Sequence, residues 1–462
     1  MRKISPVLVS LLLVLLFSCD MGPEKGAGPV PEPDAVVIPE DFLGLCHAGF
    51  KVEDLEYDFI DYLGAKWVQR TFNWRDIESG TKGNWQWTTY DNFVNGAIAR
   101  GYKIFAVLAY ANMWTVTGTE ASNNNDKNYI TPDHYEDYCN FVTAVIARYG
   151  DKISGYSIWN EPNENPRFWT GTAEEMWDLT TAAGAAARQA IRQYNPGGEL
   201  VGGVLNVLAP DIWTRGFFVS GAMAQMDGIA FHPYMPNGNN AYLVTKSFNN
   251  VAARYGFADK IWITEMGFPT NGQYSSCVEE DRMPEEVIKT IVLLATGGAA
   301  RHIFWYQLFD PNSPVAANSE DWFGFAYYKP PANASGITKK KGADAFALCA
   351  KYISGTTYRR LPIVSGVSGV ESYYFEGKNG ARTMVLWSSK IDATATTPVR
   401  VNLPGSGWRQ YSLGEAGPWT AGSSVAGLGQ DLSSGNNVYA LGKTPLFFTW
   451  TADSALPSVT AP

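Results

Sequence analysis

Two glutamates carry the chemistry that this chain offers. Glu161 stands in Trp159-Asn160-Glu161-Pro162-Asn163, directly after the apolar run Ile153 to Ile158. Glu265 closes a second such run, Lys260-Ile261-Trp262-Ile263-Thr264-Glu265, before Met266-Gly267-Phe268-Pro269. A strand that leaves its core on a carboxyl group sets that group at the rim of a sheet, where α/β barrels keep their reactive residues. Two such carboxyls facing each other can divide the labour of breaking a glycosidic bond. One, protonated, donates to the leaving oxygen; the other, ionised, attacks or stabilises the anomeric carbon. A single glutamate at a strand end is ordinarily just a solvated residue. Trp-Asn-Glu-Pro-Asn is far rarer, and a second glutamate at a matching strand end removes most of the force of that plain reading.

The elements that must position them follow from periodicity. Apolar strand runs fall near Phe42–Cys46, Trp67–Thr71, Lys103–Leu108, Gly155–Trp159, Leu200–Gly203, Gly228–His232, Lys260–Glu265 and Ile303–Gln307. Helical patterns follow each in turn, at Val52–Leu63, Thr88–Arg100, Pro132–Tyr149, Thr172–Gln193, Pro210–Ser220, Asn240–Arg254, Pro284–Leu294 and Lys339–Ile353. Thr131-Pro132 and the capping-box spacing of Thr172 and Glu175 mark two helix starts. A strand-then-helix repeat of this number predicts an α/β fold, a closed (β/α)8 TIM barrel and not an open sheet. The glutamates then close strands four and seven, across the barrel mouth from one another. From about Thr356 short β-like runs alternate with Gly, Ser, Asn and Pro, which predicts a C-terminal β-sandwich domain. It could bind carbohydrate, but packing against the barrel is the expected role.

Over most of Val37 to Ile353 the strand order and both glutamate segments resemble clan A glycoside hydrolases, retaining enzymes on a (β/α)8 barrel. Gly44-Leu45-Cys46-His47, the Trp-Asn-Glu-Pro-Asn run and the trailing β-rich segment look most like family 39, which includes β-xylosidases, iduronidases and exopolysaccharide hydrolases. Families 5, 30 and 51 share much of the pattern. The resemblance implies that Glu161 is the acid/base and Glu265 the nucleophile. It also implies that Asn160 donates to the sugar 2-hydroxyl and that Arg70, at the end of strand two, holds the nucleophile with a planar guanidinium fork. His232 and Tyr234, in Phe231-His232-Pro233-Tyr234, match a segment that sets a ring or phenol near the nucleophile. His47 would bind a sugar hydroxyl, and Trp305, ending strand eight, would form a platform beneath the cleaved sugar.

At 462 residues the chain accommodates a barrel and an appendage. Aromatics make up 14% of it, with 16 Trp and 24 Tyr, more than a core alone calls for and suited to stacking on sugar rings. A net charge of −9 argues against nucleic acid or an anionic membrane surface as partner. Arg2 and Lys3 precede the apolar stretch Val7 to Phe17, which is too short to span a membrane. It ends Leu16-Phe17-Ser18-Cys19, so residues 1–18 read as a lipoprotein signal peptide and Cys19 as the lipidated N-terminus. Ordinary signal cleavage and secretion is the alternative. Residues 19–38 read as a flexible Gly/Pro-rich tether, 39–355 as the barrel, 356–452 as the sandwich and 453–462 as a tail. The expected setting is a bacterial cell envelope, with the membrane reached only through the anchor. Cys46, Cys139, Cys277 and Cys349 lack metal-ligand spacing and read as buried thiols, although one disulfide is compatible with an oxidising compartment. No cofactor and no metal are expected.

Loops decide what fits the mouth. Trp114, Phe168, Trp169, Trp322 and Phe323 are candidate stacking platforms. The segments Thr117–Asp126 and Phe309–Ser335 could wall off a pocket, giving attack at chain ends, or border an open cleft. Both stay open, with internal cleavage of a β-linked polysaccharide as the working expectation. Transglycosylation on the same site, a glycan-binding lipoprotein on a disabled barrel and a structural envelope protein are the rival readings. The pairing of both glutamates with Asn160 and Arg70 argues against the last two.

Overall fold

The computed structural model describes residues 33–49, 53–115, 129–164, 166–206, 211–311, 313–328, 336–390, 396–414, 416–451 and 455–462. Cys19, the signal segment and the 117–126 loop lie outside them.

Eight parallel strands close into a barrel: β1 (Leu43–Cys46), β2 (Trp67–Asn73), β3 (Lys103–Ala109), β4 (Gly155–Ile158), β5 (Glu199–Asn206), β6 (Gly228–His232), β7 (Ile261–Met266) and β8 (His302–Trp305). Closure comes from β1 pairing with β8, Leu43 opposite Ile303. Eight helices alternate with them: α1 (Asp54–Leu63), α2 (Thr88–Ala99), α3 (Tyr135–Tyr149), α4 (Ala173–Tyr194), α5 (Asp211–Val219), α6 (Gly238–Ala253), α7 (Met283–Thr296) and α8 (Lys341–Tyr352). The predicted capping box is present: Glu175 N–H donates to Thr172 Oγ1, and Thr172 N–H donates to the Glu175 carboxylate. All eight strands and eight helices fall where hydrophobic periodicity puts them.

Alternation along each strand sorts side chains into two cores. Cys46, Trp67, Phe105, Val107, Val201, Ala230, Trp262 and Phe304 fill the barrel interior. Val68, Ile104, Leu108, Ile229, Ile263 and Ile303 point outward to the helices. The interior is aromatic at its base, so its rings need room. At Gly44 and Gly155 a Cβ would lie 2.7 Å from Phe304 and 2.9 Å from Phe105, so glycine is what admits those rings.

The C-terminal region is a seven-stranded antiparallel sheet faced by a three-stranded one. In its strands Ala381–Ser388 and Leu446–Thr451, alternate residues serve different cores. Met384, Leu386, Phe448 and Trp450 face the smaller sheet, with Val399, Val401 and Trp408. Val385, Trp387 and Phe447 face the barrel and join its outer core. A sheet buried on both faces makes the sandwich an integral wall of the protein, in line with the packing role expected of it.

Two predicted boundaries need correction. Ala35–Val37, read as the end of the tether, is a strand paired antiparallel with Thr357–Arg359. Ser458–Thr460, read as tail, pairs with Thr397–Leu403. Both segments alternate or carry β-branched residues, a signal too short to stand out beside proline and glycine. Cys46, Cys139, Cys277 and Cys349 are all free thiols, Cys46 and Cys349 buried. Among the described residues, no helix is long and apolar enough to cross a membrane.

Candidate active site

The C-terminal ends of the barrel strands surround a cavity of about 600 Å³ that both Glu161 and Glu265 line. A larger cleft, of about 840 Å³, lies between α6, α7 and the sandwich. Its acids are already committed: Glu285 pairs with Lys289 at 2.7 Å, and Glu286 takes Arg282 and the Gly238 N–H. At the barrel mouth Glu161 and Glu265 instead share a single imidazole, that of His232.

Local backbone irregularity aims these groups. Trp159, Glu161 and His47 hold φ of 66°, 43° and 51°, the left-handed region that ordinary side chains avoid at a cost of about 1–3 kcal/mol each. Strand hydrogen bonds enforce it. Trp159 N–H donates to Leu108 O, Glu161 N–H to Val204 O at 2.9 Å and His47 N–H to Gln69 O. Val204 sits in a bulge of β5, where register shifts between Gly202 and Leu205. A second shift, between Ile263 and Met266 of β7, spans Thr264 and Glu265. Bulges re-aim side chains, and these two turn the ends of β5 and β7 toward the mouth.

His232 links the acids. Its Nδ1 lies 2.6 Å from Glu161 Oε1 and 3.7 Å from Glu265 Oε2. Its Nε2 lies 2.8 Å from Thr264 Oγ1. In the neutral ring Nδ1–H donates to Glu161 while the threonine hydroxyl donates to Nε2; in the charged ring both nitrogens donate. Glu161 Oε1 also accepts from Asn206 Nδ2 at 3.1 Å, and Tyr234 OH donates to Glu265 Oε2 at 3.0 Å. One oxygen of Glu161, one of Glu265 and a nitrogen of His232 all lie within 4.8 Å of one another. Such a trio can also share a cation, but here both imidazole nitrogens are already engaged by protein groups.

The electrostatics follow from this crowding. Burial pushes the Glu265 carboxyl up, His232 pulls it down, Glu161 pushes it up again and the Tyr234 hydrogen bond lowers it; the outcome is about 7. Burial opposes charge on His232, but Glu265 and Glu161 outweigh it, and the imidazole is raised above its usual value. Burial and then Glu265 hold the Tyr110 and Tyr234 phenols well above their normal range, so both remain donors. His47 is pulled below its usual value by burial, with the hydrogen bond to Gln307 opposing.

Of the predicted site residues, Glu161, Glu265, Asn160, Arg70, His47 and Tyr234 line the cavity, and His232 lies beneath it. Asn160 Nδ2 donates to Tyr110 OH at 3.2 Å. The Arg70 guanidinium lies 5.0 Å over the rings of both Tyr90 and Phe93, an aromatic seat that its clan counterpart's role does not require.

Three tryptophans do not belong to the cavity. Trp305 is fully buried on the outer side of β8, 5.5 Å from Phe325 and 5.8 Å from Phe268. Alternation explains it: Phe304 faces inward, Trp305 outward, and the next inward residue, Tyr306, reaches the mouth. Trp169 is fully buried against Trp159 and Tyr129, its Nε1 donating to Thr172 O. Trp114 packs edge-on against Trp74 and His134. Phe168 and Phe323 do line the cavity, whereas Trp322 turns away to donate to Val315 O. Sequence reading passed over Tyr110, Asn206, Tyr306, Arg167, Tyr274 and Glu320. The first three each end or follow a barrel strand, a findable signal; the loop residues carry none.

Residues 158–318, the segment holding both glutamates, match the family model described as the glycosyl hydrolase catalytic core. A β-xylosidase of Caldicellulosiruptor saccharolyticus is 27% identical over 115 residues, 23% of this chain and 24% of that protein. The matched part is therefore about a quarter of that relative. Among solved structures, a family 39 glycoside hydrolase from Bacteroides cellulosilyticus superposes with a TM-score of 0.67 at 17% identity, covering 90% of this chain and 81% of that one. A family 39 β-xylosidase from Caulobacter crescentus gives 0.58 at 14%, with 93% and 98% covered. A family 30 endoxylanase from Clostridium papyrosolvens gives 0.55 at 16%, with 91% and 100% covered. At these identities the structures share the fold. Residues 158–318 thus match a glycosyl hydrolase catalytic core, and the barrel that carries them has the fold of the family 39 and family 30 structures.

Proposed function

We propose that the protein is a retaining β-glycoside hydrolase that cleaves a β-linked oligo- or polysaccharide by double displacement. One observation carries the reading: two carboxylates from β4 and β7 approach within 4.8 Å in a single cavity. That spacing matches the roughly 5–5.5 Å of retaining pairs and leaves no room for the water that an inverting enzyme holds between its acids.

In the first step Glu161 gives its proton to the leaving oxygen while a Glu265 carboxylate oxygen attacks the anomeric carbon. The glycosidic C–O bond breaks and a glycosyl ester forms on Glu265. In the second step Glu161 takes a proton from water, the water oxygen attacks the anomeric carbon, and Glu265 leaves as carboxylate. A sugar hydroxyl in place of water would give transglycosylation. Tyr234 steadies the nucleophile, and His232 holds Glu161 in line while following its changes of charge. In this reading Asn160 donates to the sugar 2-hydroxyl, a bond that strengthens with oxocarbenium character. The names of similar proteins make β-xylosides the first substrates to try. The Cys19 lipid anchor belongs to the same proposal on sequence grounds and is tested by labelling with radiolabelled palmitate.

The test is a screen of the chain on β-linked aryl glycosides, oligosaccharides and polysaccharides, with Glu265→Ala and Glu161→Ala as controls. Turnover abolished in Glu265→Ala is the expected result. Glu161→Ala should spare activated aryl glycosides far more than natural leaving groups, because the former need little protonation. Substantial turnover in Glu265→Ala, or binding of a glycan with no cleavage by the parent chain, would overturn the assignment.

A further inference from the structure

The loops over the mouth meet on one carboxylate. Arg167, from the loop after β4, donates from Nη2 to Glu320 Oε1 at 3.0 Å. Glu320 belongs to the turn Ser319–Trp322, after β8. In an eight-stranded barrel the fourth and eighth strands stand opposite each other, so this pair crosses the mouth instead of running along its rim. Tyr274, from the loop after β7, donates its hydroxyl to the same Glu320 oxygen at 2.8 Å, and Tyr306 OH reaches Oε2 at 3.4 Å. Ser319 Oγ accepts from the Gln273 and Tyr274 N–H groups at 2.7 and 2.9 Å, tying the β7 and β8 loops together beneath the crossing. On the other side Arg167 lies 4.7 Å over Phe168, which stacks on Tyr110. Arg167, Phe168, Tyr274, Tyr306 and Glu320 all line the cavity that holds the two catalytic candidates.

We infer that the Arg167–Glu320 crossing closes the mouth on one flank, so that the site takes the end of a sugar chain and the enzyme acts in the exo mode. A polysaccharide threading through its middle needs a groove open at both ends, and an ion pair joining opposite loops stands in that path. This inference stands against the working expectation of internal cleavage, and the experiment below decides between them. It rests on the glycoside hydrolase reading and adds to it the part of the substrate that is recognised. Arg167 and Glu320 keep 51% and 29% of their side-chain surface exposed, so the crossing contributes little to stability and can be cut without unfolding the barrel.

The experiment compares the parent chain with Arg167→Ala and Glu320→Gln on xylohexaose, reduced xylohexaose and soluble xylan, with 4-nitrophenyl β-xyloside as reference. Early products are sized by mass spectrometry. The parent should release products of one size from a chain end. Each variant should gain internal cuts, with its xylan-to-aryl-xyloside kcat/KM ratio rising about tenfold. Internal cuts of mixed size by the parent, or variants with the parent's product pattern, overturn the inference while leaving the hydrolase reading intact. If the parent turns over none of the probes, that reading fails on these sugars, and calorimetry on xylohexaose then decides: tighter binding in both variants supports the crossing as a barrier, and equal or absent binding overturns it.

Discussion

His232 reaches Glu161 at 2.6 Å from the same ring nitrogen that stands 3.7 Å from Glu265. One buried imidazole thus touches the charge of both candidate catalytic groups, and it is fixed from behind by Thr264. The proposed retaining mechanism needs the proton on Glu161 and the charge on Glu265, then the reverse demand on Glu161 in the second step. A ring that can donate to either carboxylate lowers the cost of passing between these states.

Replacing His232 with Asn should therefore alter pH dependence as well as rate. Loss of a hydrogen bond to a charged group predicts a fall in kcat of roughly tenfold to a hundredfold. Glu265 also loses the cation that pulls its carboxyl down, so the acid limb of kcat/KM, expected near pH 7 in the parent, should move to higher pH. A pH–rate profile checks this. A drop in rate with an unmoved limb would assign His232 to packing alone.

Tyr234→Phe isolates the hydrogen bond of the proposed nucleophile. The phenol donates to Glu265 Oε2 and lowers that carboxyl, so its loss raises the acid limb as His232→Asn does, but leaves the contact to Glu161 in place. Aryl glycosides with good leaving groups should then suffer as much as poor ones, because the defect lies in attack and not in protonation. Unequal losses would move Tyr234 to the acid's side of the site.

The raised Glu265 carboxyl also costs stability. Its folded pKa near 7 lies above an unfolded value near 4.5, so the folded state binds the extra proton between them. Stability from this group is complete below about pH 4.5 and is lost as pH rises to about 7. Glu265→Gln, which cannot ionise, should unfold at the parent's midpoint near pH 4.5 and exceed it by on the order of 3 kcal/mol at pH 8. Denaturant melts at the two pH values measure it, and a gap that does not grow with pH would refute the buried charge.

The barrel itself was legible because each strand and helix carries its own period, and because Asn160-Glu161 and Glu265 sit where strands run out. What escaped was parity and reach. The resemblance puts a platform at Trp305, at the end of strand eight, yet a match of position does not say which way a side chain points; counting from inward Phe304 selects Tyr306. Asn206 escapes a reading that ends strand five at Gly202-Gly203, because Gly203 and Val204 form a bulge through which the strand continues. Arg167, Tyr274 and Glu320 converge from three loops, and no spacing within a sequence records such a meeting.

Substitution separates the outward Trp305 from the inward Tyr306. Trp305→Ala empties a site packed by Phe268, Phe325 and Phe346, so it should cost about 3–5 kcal/mol of stability. Tyr306→Ala removes a mouth residue whose ring meets His47 at 5.1 Å, so it should raise KM with little change in unfolding midpoint. The opposite pattern would restore Trp305 as the sugar platform.

The loop that carries Glu320 and Phe323 is anchored by a buried ion pair. Lys340 Nζ lies 2.5 Å from Asp310 Oδ2, both side chains almost wholly enclosed. Lys340 also donates to Thr270 Oγ1 and Trp322 O, and Asp310 Oδ1 accepts from Gly324 N–H at 2.7 Å. Lys340 immediately precedes α8, so these bonds fasten the β7 and β8 loops to the barrel frame. Burial pushes the Asp310 carboxyl up to about 6 against the pull of Lys340. Without that ammonium Asp310 either ionises uncompensated or keeps its proton, and the first choice grows costlier as pH rises. Lys340→Met should therefore lose about 3–5 kcal/mol at neutral pH and less near pH 5, whereas Lys340→Met with Asp310→Leu should recover most of it. If the single and double variants unfold alike at both pH values, the pair contributes no more than its volume, and the hold on the Glu320 turn must come from Thr270 and Ser319.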